Sequence, residues 1–195
     1  MSSYYCATAD TFLNEAQSSI IDRLSKSDAA SGFSQLSHLQ LQSWRDTIDC
    51  TKAAFRSTTH LNDIVGVVFE YRIPRREKRI DCVILTTNDV ILIEYKSGTT
   101  TLQMDAVNQG VDYGLDLLNY HESSQSANVH VIICPTGYER VTDLSRRCDK
   151  LSSLQACGAS TLSSAIDNCI SGTHGHLTLN DWVSSRYKPI PTILD

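Results

Sequence analysis

The sequence predicts an α/β fold built around a central mixed sheet, and the prediction rests on changes in hydrophobic periodicity. The period is helical over residues 11–24 and 39–55 and changes to alternation at residues 64–72, which two runs rich in Ile, Val and Leu follow up to residue 96. It is helical again over residues 102–120, and a short apolar run follows at residues 129–134. A crossover that contains a helix joins parallel strands, so antiparallel and parallel pairing meet in one sheet.

The composition is that of an ordinary globular protein. The 195 residues are 41% hydrophobic and 20% charged, which is typical of an ordered domain. No apolar run approaches the roughly 20 residues that span a bilayer, and the first ten residues lack the pattern of a signal peptide. Seven widely spaced cysteines without a CxxC pair favour reduced thiols in the core. These features predict a soluble, cytoplasmic protein with no membrane partner.

The chain is predicted to form one domain over residues 1–195, because no internal repeat divides it. Residues 1–37 are interpreted as an N-terminal helical extension and residues 38–135 as the core. Residues 136–195 are interpreted as C-terminal helices and a tail.

Two amphipathic helices are predicted before the strands. Phe12, Ile20 and Leu24 lie at multiples of four positions and predict a helix over residues 11–24. A similar pattern predicts a second helix over residues 39–55. Both helices are predicted to be amphipathic.

Three strands are predicted next, over Ile64–Arg72, Arg79–Thr86 and Asp89–Lys96. They are rich in β-branched residues, and the turn-forming pair Asn88-Asp89 separates the last two. The pattern predicts a three-stranded antiparallel meander. It is followed by the helix over residues 102–120 and the buried strand over residues 129–134.

The last third of the chain is predicted to be helical. Apolar spacing predicts helices over residues 141–154 and 160–170, and residues 181–195 are interpreted as a proline-interrupted tail.

The net charge of −5 argues against a nucleic-acid-binding protein when it is taken alone. The basic residues are nevertheless clustered, which predicts a local basic surface on an acidic protein. Nine of the 17 lysines and arginines lie in two short stretches: Arg72, Arg75, Arg76, Lys78 and Arg79 in the first, and Arg140, Arg146, Arg147 and Lys150 in the second.

Asp81, Glu94 and Lys96 are charged residues in two otherwise apolar strands. Side chains alternate across a strand, so Glu94 and Lys96 share a face about 6.7 Å apart along it. Buried charges are unfavourable unless they are paired or bind a metal. The pattern therefore predicts that two carboxylates and one lysine converge at one end of the sheet.

Such a group suits Mg²⁺, which binds one or two carboxylates and keeps waters and a substrate phosphate as its other ligands. Asp81 and Glu94 are the predicted metal ligands. Lys96 is predicted to orient or activate a water and to stabilise the transition state of phosphodiester hydrolysis. The alternative interpretation is a structural ion-pair cluster at the end of the sheet.

The same residues carry a family resemblance. Asp81, twelve intervening residues and then Glu94-Tyr95-Lys96 at the end of an apolar strand resemble the D-(x)n-ExK signature of the PD-(D/E)XK, or restriction-endonuclease-like, nucleases. The longer stretches at residues 69–81, 93–98 and 109–121 are similar to the N-terminal nuclease-like region of a bacterial family. The C-terminal part of that family is a Schlafen-like, P-loop DNA/RNA helicase. The resemblance covers nearly the whole chain.

The resemblance implies a restriction-endonuclease-like core, namely a helix, a three-stranded antiparallel meander, a helix and a strand, with a central mixed sheet and extra flanking helices. It implies a Mg²⁺- or Mn²⁺-dependent endo- or exonuclease that acts on DNA or RNA in bacterial nucleic-acid processing or anti-phage defence. It also places the acidic residue Glu70 near the metal and Gln109 near the site as further catalytic residues.

A nucleic-acid-binding surface is predicted beside this centre. Its members are the basic residues between the first two meander strands and an aromatic residue on the Gln109 face of the helix: Arg75, Arg76, Lys78, Arg79 and Tyr113. A charged, exposed hairpin turn explains the basic residues equally well. Glu70 has the alternative role of pairing with Arg72 or Arg79, and Gln109 and Tyr113 that of packing on the helix surface.

Two function classes remain beside the nuclease. One is a catalytically inactive module of the same fold that binds nucleic acid, and the other is a module that docks a helicase. The 195 residues contain no GxxxxGK[ST] loop, so a helicase would be a partner or a further domain. A homodimer is a further expectation, since cutting both strands of a duplex with one site per chain calls for two copies. A zinc site at Cys157, Cys169, His174 and His176 matches no common spacing.

Overall fold

The computed structural model describes residues 3–32, 37–74 and 78–188. Within them the chain forms one mixed sheet flanked by helices on both faces, so the predicted α/β class is confirmed. The strands are β1 (Ser3–Ala7), β2 (Ile64–Arg72), β3 (Arg79–Thr86), β4 (Asp89–Lys96), β5 (Asn128–Pro135), β6 (Thr142–Asp143) and β7 (Ser153–Ala156). The helices are α1 (Ala9–Asn14), α2 (Gln17–Ala30), α3 (His38–Ser57), α4 (Met104–Tyr120), α5 (Leu162–Cys169) and α6 (Leu179–Val183).

The sheet has seven strands in the described part of the chain, in the order β1-β2-β3-β4-β5-β7-β6. Strands β1 to β4 pair antiparallel, which confirms the predicted meander of β2, β3 and β4. Helix α4 crosses over to β5, which runs parallel to β4 as predicted, and β7 runs parallel to β5. The carboxyl ends of β4, β5 and β7 consequently lie at one edge of the sheet, where β3 begins.

The two faces of the sheet carry separate hydrophobic cores. Helices α1, α2, α3 and α5 cover the face that includes Ile91, Ile93 and Tyr95 of β4, whereas α4 and α6 cover the face that includes Val90 and Leu92. Because side chains alternate along β4, Glu94 and Lys96 belong to the face covered by α4.

The predicted N-terminal helix over residues 11–24 is wrong, because the chain forms two helices that break at Glu15 and Ala16, both of them extended. The ammonium of the buried Lys52 donates to the main-chain oxygens of Leu13 and Glu15. A tertiary partner therefore satisfies carbonyls at the end of α1 that a continuous helix would have satisfied itself.

Residues 1–37 are also not purely helical, because β1 adds a strand to the sheet beside β2.

Residues 141–154 are not a helix either. They contain β6, a 3₁₀ turn at Ser145–Arg147 and the start of β7, whose backbone pairs with β5. The apolar spacing of this segment is helical, but sheet hydrogen bonds from a distant strand determine its structure.

Helix α5 confirms the prediction over residues 160–170, whereas α6 and an isolated bridge between Tyr187 and His121 give structure to the predicted tail. The tail from residue 189 onward lies outside the described residues. All seven cysteines are free thiols, and four are buried in the cores.

Candidate functional site

A cleft opens at the sheet edge where β2 and β4 end and β3 begins. Among the described residues it has a volume of about 680 Å³. It brings together six residues that the sequence selected: Glu70, Lys78, Arg79, Asp81, Gln109 and Tyr113.

Asp81, Glu94 and Lys96 lie together at this edge. Cys82 pairs with Ile93 across the antiparallel strands β3 and β4. Asp81 and Glu94 come one position further toward the cleft and therefore lie side by side on the two strands. The Lys96 ammonium lies 2.8 Å from Oε1 of Glu94. Oδ2 of Asp81 accepts a hydrogen bond of 2.9 Å from the main-chain N–H of Tyr95.

The carboxylates of Asp81 and Glu94 are shielded from solvent, and their negative charges repel one another. Burial, followed by the charge of Asp81, raises the pKa of Glu94 to about 8 against the opposing effect of Lys96. Burial raises the pKa of Asp81 to about 6, although the Tyr95 N–H, Lys96 and Arg79 oppose it. A bound cation would relieve this repulsion, since opposite charge favours the ionised form.

The site fits a divalent metal with two protein ligands. Oε2 of Glu94 is buried and has no hydrogen-bond partner, and an orphaned buried acceptor beside a second carboxylate is a place for a cation. The described residues contain no group of three or more His, Cys, Asp or Glu side chains arranged to hold a metal. Mg²⁺ suits this donor set, because it commonly takes one or two carboxylates and fills its octahedron with water and phosphate oxygens.

Glu70 has both carboxylate oxygens engaged by the protein. The indole N–H of Trp44 donates to Oε1 over 3.0 Å, and Nε of Arg79 lies 2.7 Å from Oε2. Burial and the charge of Asp81 raise the pKa of Glu70 to about 7 against these partners. The structure therefore shows the Arg79 pairing that the sequence left as an alternative, and it leaves Glu70 without a free oxygen for a metal.

The backbone of Glu70 is strained. Its φ of +53° is the one positive value among the described non-glycine residues, and such strain is concentrated at functional sites. Phe69 and Tyr71 flank Glu70 and pack into the two different cores, although residues two apart in a regular strand share a face. The irregular backbone at Glu70 accompanies this change of face and directs the carboxylate to the cleft.

Arg79 is anchored on three sides while it lines the cleft. Besides Glu70, its guanidinium contacts Oδ1 of Asp28 at 3.2 Å and the hydroxyl of Tyr4 at 2.6 Å. The Arg79 side chain is 25% exposed to solvent. Since these partners come from α2, β1 and β2, Arg79 is a positioned cation at the edge of the site.

The opposite wall of the cleft is formed by α4. Nε2 of Gln109 donates to the hydroxyl of Tyr113 over 2.8 Å, and the Lys78 ammonium lies 6.0 Å from the centre of the Tyr113 ring. Tyr113 is buried although it lines the cleft, so it offers no open ring face on which a base could stack.

Arg75 and Arg76, predicted to contact phosphates, lie outside the described residues. The second basic stretch is exposed on the β6 side of the sheet.

The four residues considered for zinc do not come together, because Cys157 and Cys169 are buried in a core whereas His174 and His176 line a separate cavity of about 470 Å³.

Comparison with known proteins gives no relative. No family model, curated protein or solved structure matches this chain. No helix in the described ranges is long and apolar enough to cross a membrane.

Sequence reasoning missed three residues of the site. Ser31 and Gln40 also line the cleft, and Trp44 orients Glu70. Arg72, known from the sequence only as part of the first basic stretch, lines the cleft as well. Gln40 and Trp44 are four positions apart, so helical periodicity places them on one face of α3. The sequence does not show which end of the sheet that face approaches.

Proposed function

We propose that this protein is a metal-dependent nuclease with a restriction-endonuclease-like core that hydrolyses phosphodiester bonds of DNA or RNA. The single observation that carries the proposal is the unpartnered, buried Oε2 of Glu94 beside Asp81, with Lys96 on the same strand end. The order of helix, antiparallel meander, crossover helix and parallel strand supports the core architecture.

The residues have distinct roles in this proposal. Asp81 and Glu94 would hold Mg²⁺ or Mn²⁺, which would polarise the phosphate and lower the pKa of the attacking water. Lys96 orients that water and offsets the negative charge that develops on the phosphate oxygens. The water oxygen bonds to phosphorus and releases a proton to solvent, one P–O ester bond breaks, and the departing oxygen takes up a proton from solvent.

The surrounding residues position this centre. Glu70 holds the Arg79 guanidinium at the cleft instead of binding the metal, because both its oxygens already accept hydrogen bonds. Arg72 and Lys78 supply positive charge for the phosphates on either side of the reacting one, and Gln109 offers an amide from the α4 wall.

The direct test is incubation of the protein with single- and double-stranded DNA and RNA in the presence of Mg²⁺ or Mn²⁺. We expect cleavage that a chelator abolishes. Lys96→Ala should lower the rate by at least about 10²-fold and leave nucleic-acid affinity nearly unchanged, because its charge acts mainly in the transition state. Lys26→Ala, an exposed change on α2, is the matched control.

Equal losses of rate and affinity in Lys96→Ala would place Lys96 in the binding surface and remove it from the chemistry. A non-cutting nucleic-acid-binding module is the second candidate, and the close ion pair of Lys96 with Glu94 favours it. Salt-dependent binding without metal-dependent cleavage would select that candidate.

A further inference from the structure

The cleft has the dimensions of a site for one nucleic-acid strand. Its volume among the described residues, about 680 Å³, lies within the range of about 300–1,000 Å³ that is typical of pockets enclosing a small ligand. One or two nucleotides are ligands of this size. A continuous duplex carries a second strand and its paired bases, and a volume of this size does not hold both strands.

One of the two proposed metal ligands lies deep in this edge of the sheet. Glu94 is 3% exposed, whereas Asp81 is half-buried and lines the cleft. A phosphate must come into contact with Asp81 and Glu94 to be hydrolysed there. The strand that carries it therefore has to enter the cleft, which an unpaired strand does without breaking base pairs.

The walls of the cleft belong to helices that pack on opposite faces of the sheet. Gln40 is on α3, whose neighbouring Trp44 is buried and bonded to Glu70. Gln109 is on α4, where it bonds to the buried Tyr113. Opening the cleft to admit a duplex would pull packed helices from both cores, and closely packed interiors resist such a change.

The lining suits unpaired nucleotides. Ser31, Gln40 and Gln109 present hydroxyl and amide groups that match the hydrogen-bonding edges of bases, which are free only when the strand is not paired. Arg72 and Lys78 supply charge for the backbone. The mixture is that of a site which contacts bases and phosphates of the same strand.

We infer that the cleft binds single-stranded or locally unpaired nucleic acid and excludes an intact duplex. As a statement about cleavage, this inference rests on the proposed nuclease function. As a statement about binding, it is measurable without catalysis, which keeps the two separable.

The experiment compares one hairpin-free linear strand with the same strand annealed to its complement as a blunt duplex, in both DNA and RNA form. Binding is measured by fluorescence anisotropy with Asp81→Asn, and cleavage by initial rates of the unmodified protein with Mg²⁺. We expect the single strand to bind at least about tenfold more tightly and to be cut at least about tenfold faster.

Each outcome separates the two proposals. If neither substrate is cut but the single strand keeps its tighter binding, the nuclease function fails and the strand preference stands. Equal affinity for the duplex, or equally fast cutting at its internal positions, overturns the strand preference whether or not the protein is a nuclease.

A wall variant tests the location of the strand. Gln40→Trp fills the cleft from the α3 side and should weaken single-strand binding at least about fivefold. Gln42→Trp introduces the same side chain at an exposed position of the same helix, where Gln42 bonds to Asp46, and should bind as the unmodified protein does. Equal effects of the two changes would place the strand outside the cleft.

Discussion

The carboxyl group of Glu94 lies beside Asp81 in surroundings where burial raises the pKa of both acids. Ionisation of both is needed for them to act as metal ligands. Their raised pKa values therefore couple metal binding, stability and pH at the scale of single residues.

Cleavage should rise with pH at low Mg²⁺ concentration. A carboxyl with a pKa of about 8 is mostly protonated at neutral pH, so we expect the rate to increase at least about tenfold from about pH 6 to about pH 8.5. Initial rates across this interval measure the effect. Saturating Mg²⁺ should shift the rise to lower pH, and a rate independent of pH at low Mg²⁺ would argue against Glu94 as a ligand.

Glu94→Gln should abolish cleavage and stabilise the metal-free fold at alkaline pH. A folded-state pKa raised from 4.5 to about 8 means that stability is lost as pH rises through this interval. The neutral amide avoids that loss, so the variant should exceed the unmodified protein by more than about 1 kcal/mol at about pH 8.5 and differ little at about pH 4. Urea unfolding in a chelator measures this difference, with the exposed Glu139→Gln as control.

At the scale of elements, Arg79 joins four of them. It is the first residue of β3, and its side chain contacts Glu70 of β2, Tyr4 of β1 and Asp28 of α2. The ion pair with the buried Asp28 attaches α2 to the sheet edge, and Ser31 follows at the end of this helix on the cleft wall.

Asp28→Ala should lower the free energy of unfolding by about 1–3 kcal/mol, because the change leaves a partly buried guanidinium without one of its acceptors. Asp22→Ala, an exposed change on the same helix, should alter it by less than about 0.5 kcal/mol. Chemical denaturation of both variants measures the contrast. Equal stabilities would mean that Glu70 and Tyr4 alone hold Arg79.

The opposite edge of the sheet is held by a buried polar network around Asp89. Its carboxylate accepts hydrogen bonds from Thr86, Asn128 and Ser171, and His130 links it to Ser153. Burial by itself raises the pKa of Asp89, but the bonds from His130, Asn128 and Thr86 outweigh it and lower that pKa below its usual value of 3.8. Asp89 and Thr86 border a small cavity of about 150 Å³. Both carboxylate oxygens of Asp89 are nevertheless held by protein groups, so we interpret the network as structural.

Asp89→Asn should destabilise the fold by about 1–3 kcal/mol at neutral pH, because an amide NH₂ replaces an acceptor that faces several donors. A lowered folded-state pKa gives stability that is present above pH 3.8 and lost as pH falls below it. The difference between the variant and the unmodified protein should therefore shrink in acid. Urea unfolding at about pH 6 and about pH 2.5 tests this, with the exposed Asp149→Asn as control.

At the scale of the whole molecule, a net charge of −5 coexists with cations gathered at the cleft. Long-range repulsion opposes nucleic-acid binding, whereas local phosphate contacts favour it. Affinity is then expected to decline steeply with salt, because each contact releases a counterion from the strand.

Replacing Arg72 and Lys78 by Ala should weaken binding to all sequences alike. The slope of log affinity against log salt should fall by about 0.7 for each lost contact to a single strand. The exposed pair Arg45 and Lys26, changed in the same way, is the control. An unchanged slope would show that the strand does not pass these two cations.

The strands and the three charged residues of the site are predictable from the sequence by itself. Alternation predicts β2, and runs rich in Ile, Val and Leu predict β3 and β4. Asp81, Glu94 and Lys96 stand out because they are charged within apolar strands. The parallel β5 follows from the length of the crossover. These features depend on local patterns, and local patterns are present in the sequence.

Other features were decided only by the tertiary structure. Strands β1 and β7 form because distant strands offer them backbone partners, and the helical spacing of residues 141–154 does not reveal those partners. Glu70 was singled out by the sequence, but its role depends on Trp44 and Arg79, which approach it from other elements. Long-range contacts decide which polar atoms are satisfied and which remain free, and this is why the free oxygen at the candidate site is on Glu94 and not on Glu70.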